Sequence, residues 1–277
     1  MPRLNEIPLG KSISAIFYGG SKTGKTVLAA SGGDKTLFIN IGNGIVTLQS
    51  DWFRKNYGNS NPIIETVTEE YVPSVAKGYD RVCDIIESYL KDKPNEFDTI
   101  VVDDATNLRR MAMTKGLELN QALGKSKTKE ILKSNKMVDV IVPTVADFGA
   151  EMALIEQFIG AYTTIAQEAG KNFIMTAHER LTFEKGKAIG DIPTLKKVSP
   201  GFTGQTFPDS VTGVFDIVWH TEAVGSGAQT QYRVRTRGDE SLTAGTRYPE
   251  LFPTLYVNPN FSHIIKAIKE QKPITQK

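Results

Sequence analysis

The sequence predicts an α/β fold in which a mostly parallel central sheet is flanked by helices. Strand-like apolar runs alternate with helix-period segments along the chain. A glycine-dense turn joins the first strand to the first helix, and the run Asp98 to Asp104 (DTIVVDD) has an apolar centre without alternation. Such a centre marks a parallel strand buried on both faces, and strands separated by helices build right-handed βαβ units. The 277 residues contain no Pro/Ser linker, internal repeat or low-complexity tract. One α/β domain is therefore expected over residues 1–258, with a short tail at 259–277.

Each element has its own signal. Ser12 to Gly19 (SISAIFYG) is a β-rich run ending in glycine, and the KTVLAAS helix that follows can stop at Gly32 and Gly33. Thr36 to Ile41 (TLFINI) reads as a second buried strand. Between Pro73 and Asp92, Val75, Tyr79, Val82, Ile86 and Leu90 recur at three- and four-residue spacing, the period of an amphipathic helix. From Thr144 to Ala169 a second stripe runs through Phe148, Met152, Ile155, Ile159, Tyr162 and Ala166. Thr144 and Asp147 have capping-box spacing at its start, and Gly170 can end it. Asn172 to His178, Phe215 to Thr221 and Thr230 to Thr236 complete the strands.

Composition removes several classes. Hydrophobic residues at 40 % and charged residues at 23 % are ordinary for a globular protein. No run of eighteen apolar residues occurs, so no membrane span is expected. A net charge of +2 is too small to indicate a nucleic-acid binder by bulk charge. The single cysteine, Cys83, excludes an internal disulfide and fits a reducing compartment. The start MPRLNEIPLGKS lacks the apolar segment of a secretory signal, so a cytoplasmic location is expected.

Gly19-Gly20-Ser21-Lys22-Thr23-Gly24-Lys25-Thr26 fits G-x-x-x-x-G-K-[ST]. Glycines let the backbone close around phosphates, and the amides of the loop and of the helix start point at their oxygens. Lys25 is placed to reach the β- and γ-phosphates, and the Thr26 hydroxyl to coordinate Mg2+. A chance match in a chain this long has odds on the order of one in a hundred, and this one lies where it must, after a strand and before a helix. A P-loop NTPase fold binding ATP and Mg2+ is the reading.

Such a loop needs a carboxylate at the end of a neighbouring buried strand. Asp103 follows the apolar run directly and is the candidate for the metal. Asp104 either polarises the attacking water or caps the next helix. His178, at the mouth of another strand, either senses the γ-phosphate or is structural.

In order, GGSKTGKT, TLFINI, FDTIVVDD, the ADFG turn (Ala146 to Gly149), NFIMTAHER and RVRTRGDESLTAGTRY resemble the RecA-like ATPases. Within these they are most similar to the short phage homologues of the Sak-four group. Those are single-strand annealing or recombination ATPases, also described as AAA-domain phage nucleotide-binding proteins. The resemblance spans about Ile13 to Phe252. It implies a RecA-like core and a DNA-stimulated ATPase that assembles side by side, as a ring or filament, on single-stranded DNA in the host bacterial cytoplasm. A single-strand-binding protein is a further implied partner. Lys25, Thr26 and Asp103 match the nucleotide and metal positions, and His178 matches the polar switch position. Arg235 or Arg237 matches basic residues that reach a neighbouring subunit's γ-phosphate. One departure stands out: RecA-like proteins carry Asp-x-Glu after the second strand, where this chain has Asn40-Ile41-Gly42. Neither Asn40 nor Gly42 can act as a general base. Asp104 or another acid takes that role, or hydrolysis is slow.

Two segments are candidates for contact with DNA. From Arg109 to Lys136 eight basic residues stand against Glu118 and Glu130, and Lys125, Lys127 and Lys129 form the densest part. Such a block either tracks phosphates or is a solvated helix face with a mobile loop. The stretch Glu179 to Phe207 reads as a long loop carrying Lys185, Lys187, Lys196 and Lys197. Within it Phe183, Phe202 and Phe207 either stack on bases or anchor the loop. Two rivals stay open: a nucleotide-gated scaffold with weak hydrolysis, and a P-loop small-molecule kinase.

Overall fold

Six parallel strands form the centre of a ten-stranded sheet in the computed structural model. The structure describes residues 12–42, 44–58, 60–69, 77–124, 127–133, 136–184, 193–204 and 206–275. The chain opens with β1 (Ser14–Gly19), α1 (Lys25–Ala30) and β2 (Thr36–Asn40). Short helices α2 (Ile45–Leu48) and α3 (Asp51–Tyr57) lead to β3 (Ile63–Thr66). Then come α4 (Gly78–Asp92), β4 (Thr99–Asp103) and α5 (Ala105–Ala122). A hairpin of β5 (Lys127–Lys133) and β6 (Lys136–Val142) precedes α6 (Val145–Glu168). A second hairpin follows, β7 (Asn172–Glu184) with β8 (Thr194–Pro200). The rest is α7 (Phe207–Thr212), β9 (Ile217–Val224), β10 (Gln231–Arg235), β11 (Gly245–Thr246), β12 (Leu255–Val257) and α8 (Phe261–Glu270).

The strand order is β12-β10-β9-β1-β7-β4-β2-β3, with β11 on β9 and β8 on β7. From β9 to β3 every pairing is parallel; β8, β10, β11 and β12 add antiparallel margins. The period of two divides the core. Ile16, Tyr18, Leu37, Ile39, Ile100 and Val102 meet Val82 and Ile86 of α4, Leu108 of α5, and Ile155 and Phe158 of α6. The alternate residues Ala15, Phe17, Phe38 and Val101 meet Val27 and Leu28 of α1 and Phe261 and Ile264 of α8. Both faces are covered, so the central strands show no polar alternation.

The capping box of α6 forms: the Thr144 amide and hydroxyl both donate to Asp147 Oδ2, at 2.6 and 2.8 Å. Three expectations change. The segment read as a tail contains α8, whose Phe261, Ile264 and Ile268 are buried against α1 and the sheet. The 179–207 stretch is not a long loop, because β7 continues past His178 to Glu184 and pairs with β8; residues 185–192 and 205 lie outside the described residues. The helix expected from Pro73 begins at Gly78, and residues 70–76 also lie outside them.

Candidate functional site

Parallel strands all present their carboxyl ends at one edge, and β1, β7 and β4 bring Gly19, His178 and Asp103 there. A cleft of about 630 Å³ opens over this edge. It is lined by Ser21 to Val27, Gly42, Gly44, Thr47, Asp103, Asp104, Asn107, His178 and Tyr232.

The loop wraps the entrance of α1. Gly24 takes a left-handed conformation (φ 89°), and a Cβ there would lie 2.8 Å from the Tyr232 ring. A side chain is excluded on both counts. A Cβ on Gly19 would lie 2.4 Å from the Thr221 carbonyl oxygen, so β1 and β9 can approach only with glycine there. Thr23 braces the loop: its hydroxyl donates to the Gly20 carbonyl at 2.9 Å and lies 2.7 Å from Thr221 Oγ1. Lys25 is buried, and its ammonium donates to the carbonyls of Gly19 and Gly20. Burial lowers the Lys25 pKa, opposed by the charges of Asp103, Asp104 and Glu179.

Thr26 Oγ1 lies 3.0 Å from Asp103 Oδ2 and 3.2 Å from Oδ1. The Thr176 hydroxyl donates to Asp103 Oδ1 from β7. Burial pushes the Asp103 carboxyl up to about 6, the neighbouring Asp104 charge adding to this against the Thr176 and Thr26 hydrogen bonds and Lys25. A hydroxyl and a carboxylate converging in a phosphate-binding cleft suit Mg2+, a hard cation that takes oxygen ligands and shares its shell with substrate phosphates. Among the described residues no cluster of three or more His, Cys, Asp or Glu side chains could hold a metal without such help. The backbone agrees: a Cβ on Gly44 would lie 2.6 Å from Asp103 Oδ2 and 2.9 Å from Thr26 Oγ1.

Asp104 takes the capping role and also lines the cleft. Its Oδ1 accepts from the Asn107 amide at 2.7 Å and caps α5, while its Oδ2 faces the cleft 3.7 Å from His178 Nε2. A Cβ on Gly42 would lie 3.0 Å from Asn107 Nδ2 and 3.9 Å from Asp104 Oδ2. His178 is half-exposed, and its amide donates to Thr106 Oγ1.

Other expected site residues lie elsewhere. Arg235 Nε donates to Glu222 Oε1 at 2.6 Å, beside Arg233 on Oε2 at 2.9 Å; Arg237 donates to the Pro249 carbonyl. Lys196 pairs with Glu184 and Lys197 with Asp209 on the β7–β8 side. Lys127 and Lys129 lie on β5. Lys125, Lys185 and Lys187 are outside the described residues. In the basic block, Arg109 pairs with buried Glu151 and Lys115 with Asp80 and Glu118. Phe202 and Phe207 are buried and pack edge to face, which makes them anchors, whereas Phe183 is exposed.

Several neighbours of the loop were not found from sequence. Tyr232 covers Gly24 and meets half-exposed Trp52 edge to face, with ring centroids 5.5 Å apart. Glu179 reaches back toward Gly20 and accepts a hydrogen bond from His220 Nε2 at 2.8 Å. These residues are distant in sequence and carry no motif. The only local signal was an aromatic residue, Trp52, shortly after the second strand.

A family model described as an AAA domain matches residues 11–248. Comparison with curated proteins gives no significant match. Among solved structures, the flagellar accessory protein FlaH from Methanocaldococcus jannaschii is similar, with TM-score 0.42 and 13 % identity. That similarity covers 91 % of this chain and 86 % of FlaH. No helix of the described residues is long and apolar enough to cross a membrane. The phosphate loop, the strand-end carboxylate and the parallel order β9-β1-β7-β4-β2 form a P-loop NTPase core of the kind that binds nucleotide. Since the family match spans most of its length, the chain belongs to the AAA-domain family.

Proposed function

We propose that this protein is an ATP- and Mg2+-dependent RecA-like ATPase that binds single-stranded DNA and promotes annealing or strand exchange in phage recombination. One observation carries the nucleotide part: Lys25, Thr26 and Asp103 converge in one cleft at the ends of adjacent strands. Lys25 would draw charge from the terminal phosphates, and Thr26 with Asp103 would hold the metal. Magnesium would supply charge neutralisation on the β- and γ-oxygens. Asp104, facing the cleft beside His178, is the carboxylate placed to orient water. The Trp52–Tyr232 pair offers an aromatic surface to the base.

The DNA part is supported by continuity. The strand that carries His178 runs on into the β7–β8 hairpin, whose pairing shifts register between Thr182 and Phe183 and where Lys196 and Lys197 lie. An ordered strand couples a change at the phosphates to a surface beyond the cleft. Among the described residues β5 and β6 pair only with each other, and this lysine-bearing segment is the second region proposed to meet DNA. Assembly side by side would bring Arg235 or Arg237 to a neighbour's nucleotide.

ATP hydrolysis measured with and without single-stranded DNA tests the reading. DNA is expected to raise the rate or the ATP affinity; indifference to DNA in both would end the recombination assignment. Light scattering with a non-hydrolysable ATP analogue tests assembly, and a strict monomer would remove the shared site. A second reading, a nucleotide-gated scaffold with slow turnover, is favoured by Gly42 and by the engagement of Asp104 Oδ1 in the α5 cap. Single-turnover hydrolysis that stays slow on saturating DNA would select it.

A further inference from the structure

Across the carboxyl ends of four adjacent strands runs a row of polar side chains. Register sets Asn40 on β2 beside Asp103 on β4 and beside Thr66 on β3. Thr176 reaches Asp103 from β7. In-register neighbours of parallel strands share a face. Two residues back, Phe38 and Val101 are also in register and both lie in the core beneath α1. Asn40 and Asp103 therefore stand on the α1 side, where Thr26 is.

Asn40 is 2 % exposed. Among the described residues its Nδ2 makes one long hydrogen bond, 3.4 Å to Thr66 Oγ1, and its Oδ1 has no partner. A buried amide oxygen without a donor is uncommon and calls for an explanation. The Asp103 carboxylate cannot supply one, being an acceptor itself and already engaged by Thr26 and Thr176. Thr66 Oγ1 can donate or accept, so that bond leaves the orientation of the amide open. A cation beside Asp103 settles it, because a cation and its polarised waters favour a carbonyl oxygen over an N–H.

We propose that Asn40 is an outer acceptor of the magnesium site, its amide oxygen receiving a hydrogen bond from a metal-bound water. The inference rests on the magnesium-dependent nucleotide site proposed above. Magnesium gives up its waters reluctantly and is held largely through them. Groups that grip such a shell change metal affinity by about ten- to hundredfold when mutated. The amide also explains the departure from an acid at this position. Asp103 and Asp104 are already consecutive, and an amide adds an oxygen without a third negative charge. Asn40 is thus a positioning residue, acting on the metal through water.

The test is a magnesium titration of ATP binding to the full chain by calorimetry, with ATP binding in EDTA and thermal melting alongside. Asn40→Ala is expected to need about tenfold more magnesium, with metal-free ATP affinity unchanged. Asn40→Asp keeps the acceptor and adds negative charge beside the metal, so it is expected to need less magnesium than wild type, while melting lower without metal. A purely structural amide would lower both melting points and leave both magnesium midpoints where they were. That result, or an Asn40→Asp variant that loses magnesium as the alanine variant does, overturns the inference. Should Asn40→Ala fail to fold, the aspartate variant decides alone. Failure of the underlying reading looks different: wild type would bind no ATP with or without magnesium, and the role of Asn40 would fall with it.

Discussion

Thr26 Oγ1 sits 3.0 Å from Asp103 Oδ2, so the last residue of the phosphate loop and the last residue of β4 are in direct contact. Asp103 is 5 % exposed, and a carboxylate buried this deeply costs stability unless a cation compensates it. Asp103→Asn should therefore raise the melting temperature of the metal-free protein while removing magnesium-dependent ATP binding. Differential scanning calorimetry with ATP binding by filter assay checks both. A variant that melts lower and still binds Mg-ATP would take the metal role away from Asp103.

Gly44 gives a second check of the same contact. Its backbone is right-handed helical (φ −66°), so alanine fits the chain there without strain. Only space is at issue, because the new methyl would fall 2.6 Å from Asp103 Oδ2. Gly44→Ala is expected to fold normally by circular dichroism and to weaken Mg-ATP binding at least tenfold. Binding as tight as wild type would mean that the carboxylate has no fixed role.

How much of this was legible in the sequence depends on how local the signal is. The phosphate loop, β4 and the α6 cap are short-range patterns, since Gly24, Asp103 and the Thr144–Asp147 pair each act within a few residues. The absence of polar alternation predicted which strands were buried, because both faces of the sheet are covered by helices. The α8 segment was missed although Phe261, Ile264 and Ile268 have helical spacing; its position at the end of the chain was read as a tail. The β7–β8 hairpin was missed because strands that leave the sheet lose the apolar run that marks β7 inside it. Tyr232 over Gly24, Glu179 by Gly20 and Asn40 by Asp103 arise only when distant strands pair. No pattern within a single strand contains them.

The Trp52–Tyr232 pair supplies a spectroscopic reporter. The chain has two tryptophans; Trp219 is fully buried, whereas Trp52 is 43 % exposed and packs on Tyr232, which lines the cleft. Nucleotide binding should change the emission of Trp52, and Trp52→Phe should abolish the change. Tyr232→Ala should weaken ATP about tenfold, within the 1–3 kcal/mol that one base–aromatic stack contributes. Unaltered emission at saturating ATP would place the base elsewhere.

Asp147 sets the acid limit of α6. Burial acts to raise its pKa, but the Thr144 amide, the Asn120 side chain and the Thr144 hydroxyl together hold it below the usual carboxylate value. A depressed pKa in the folded state contributes stability above the unfolded value near 3.8, and this is lost as pH falls through the folded value. Wild type should lose this contribution only below about pH 4. Asp147→Ala lacks it at every pH and strands the Asn120 amide, costing about 2 kcal/mol at pH 7. Urea melts from pH 3 to 7 check this: the gap between variant and wild type should narrow on acidification, and a constant gap would refute the linkage.

Arg235 distinguishes a shared nucleotide site from a self-contained one. Its guanidinium is 46 % exposed and its Nε is 2.6 Å from Glu222, so the pair adds little to the fold. Arg235→Ala should therefore melt within about 1 kcal/mol of wild type. If the arginine acts on a neighbour's γ-phosphate, Arg235→Ala and Lys25→Ala proteins should each hydrolyse ATP poorly. Mixed together they should regain part of the rate, because some interfaces then combine an intact loop with an intact arginine. No recovery across mixing ratios, with assembly intact by light scattering, would confine catalysis to one subunit and return Arg235 to its pairing with Glu222.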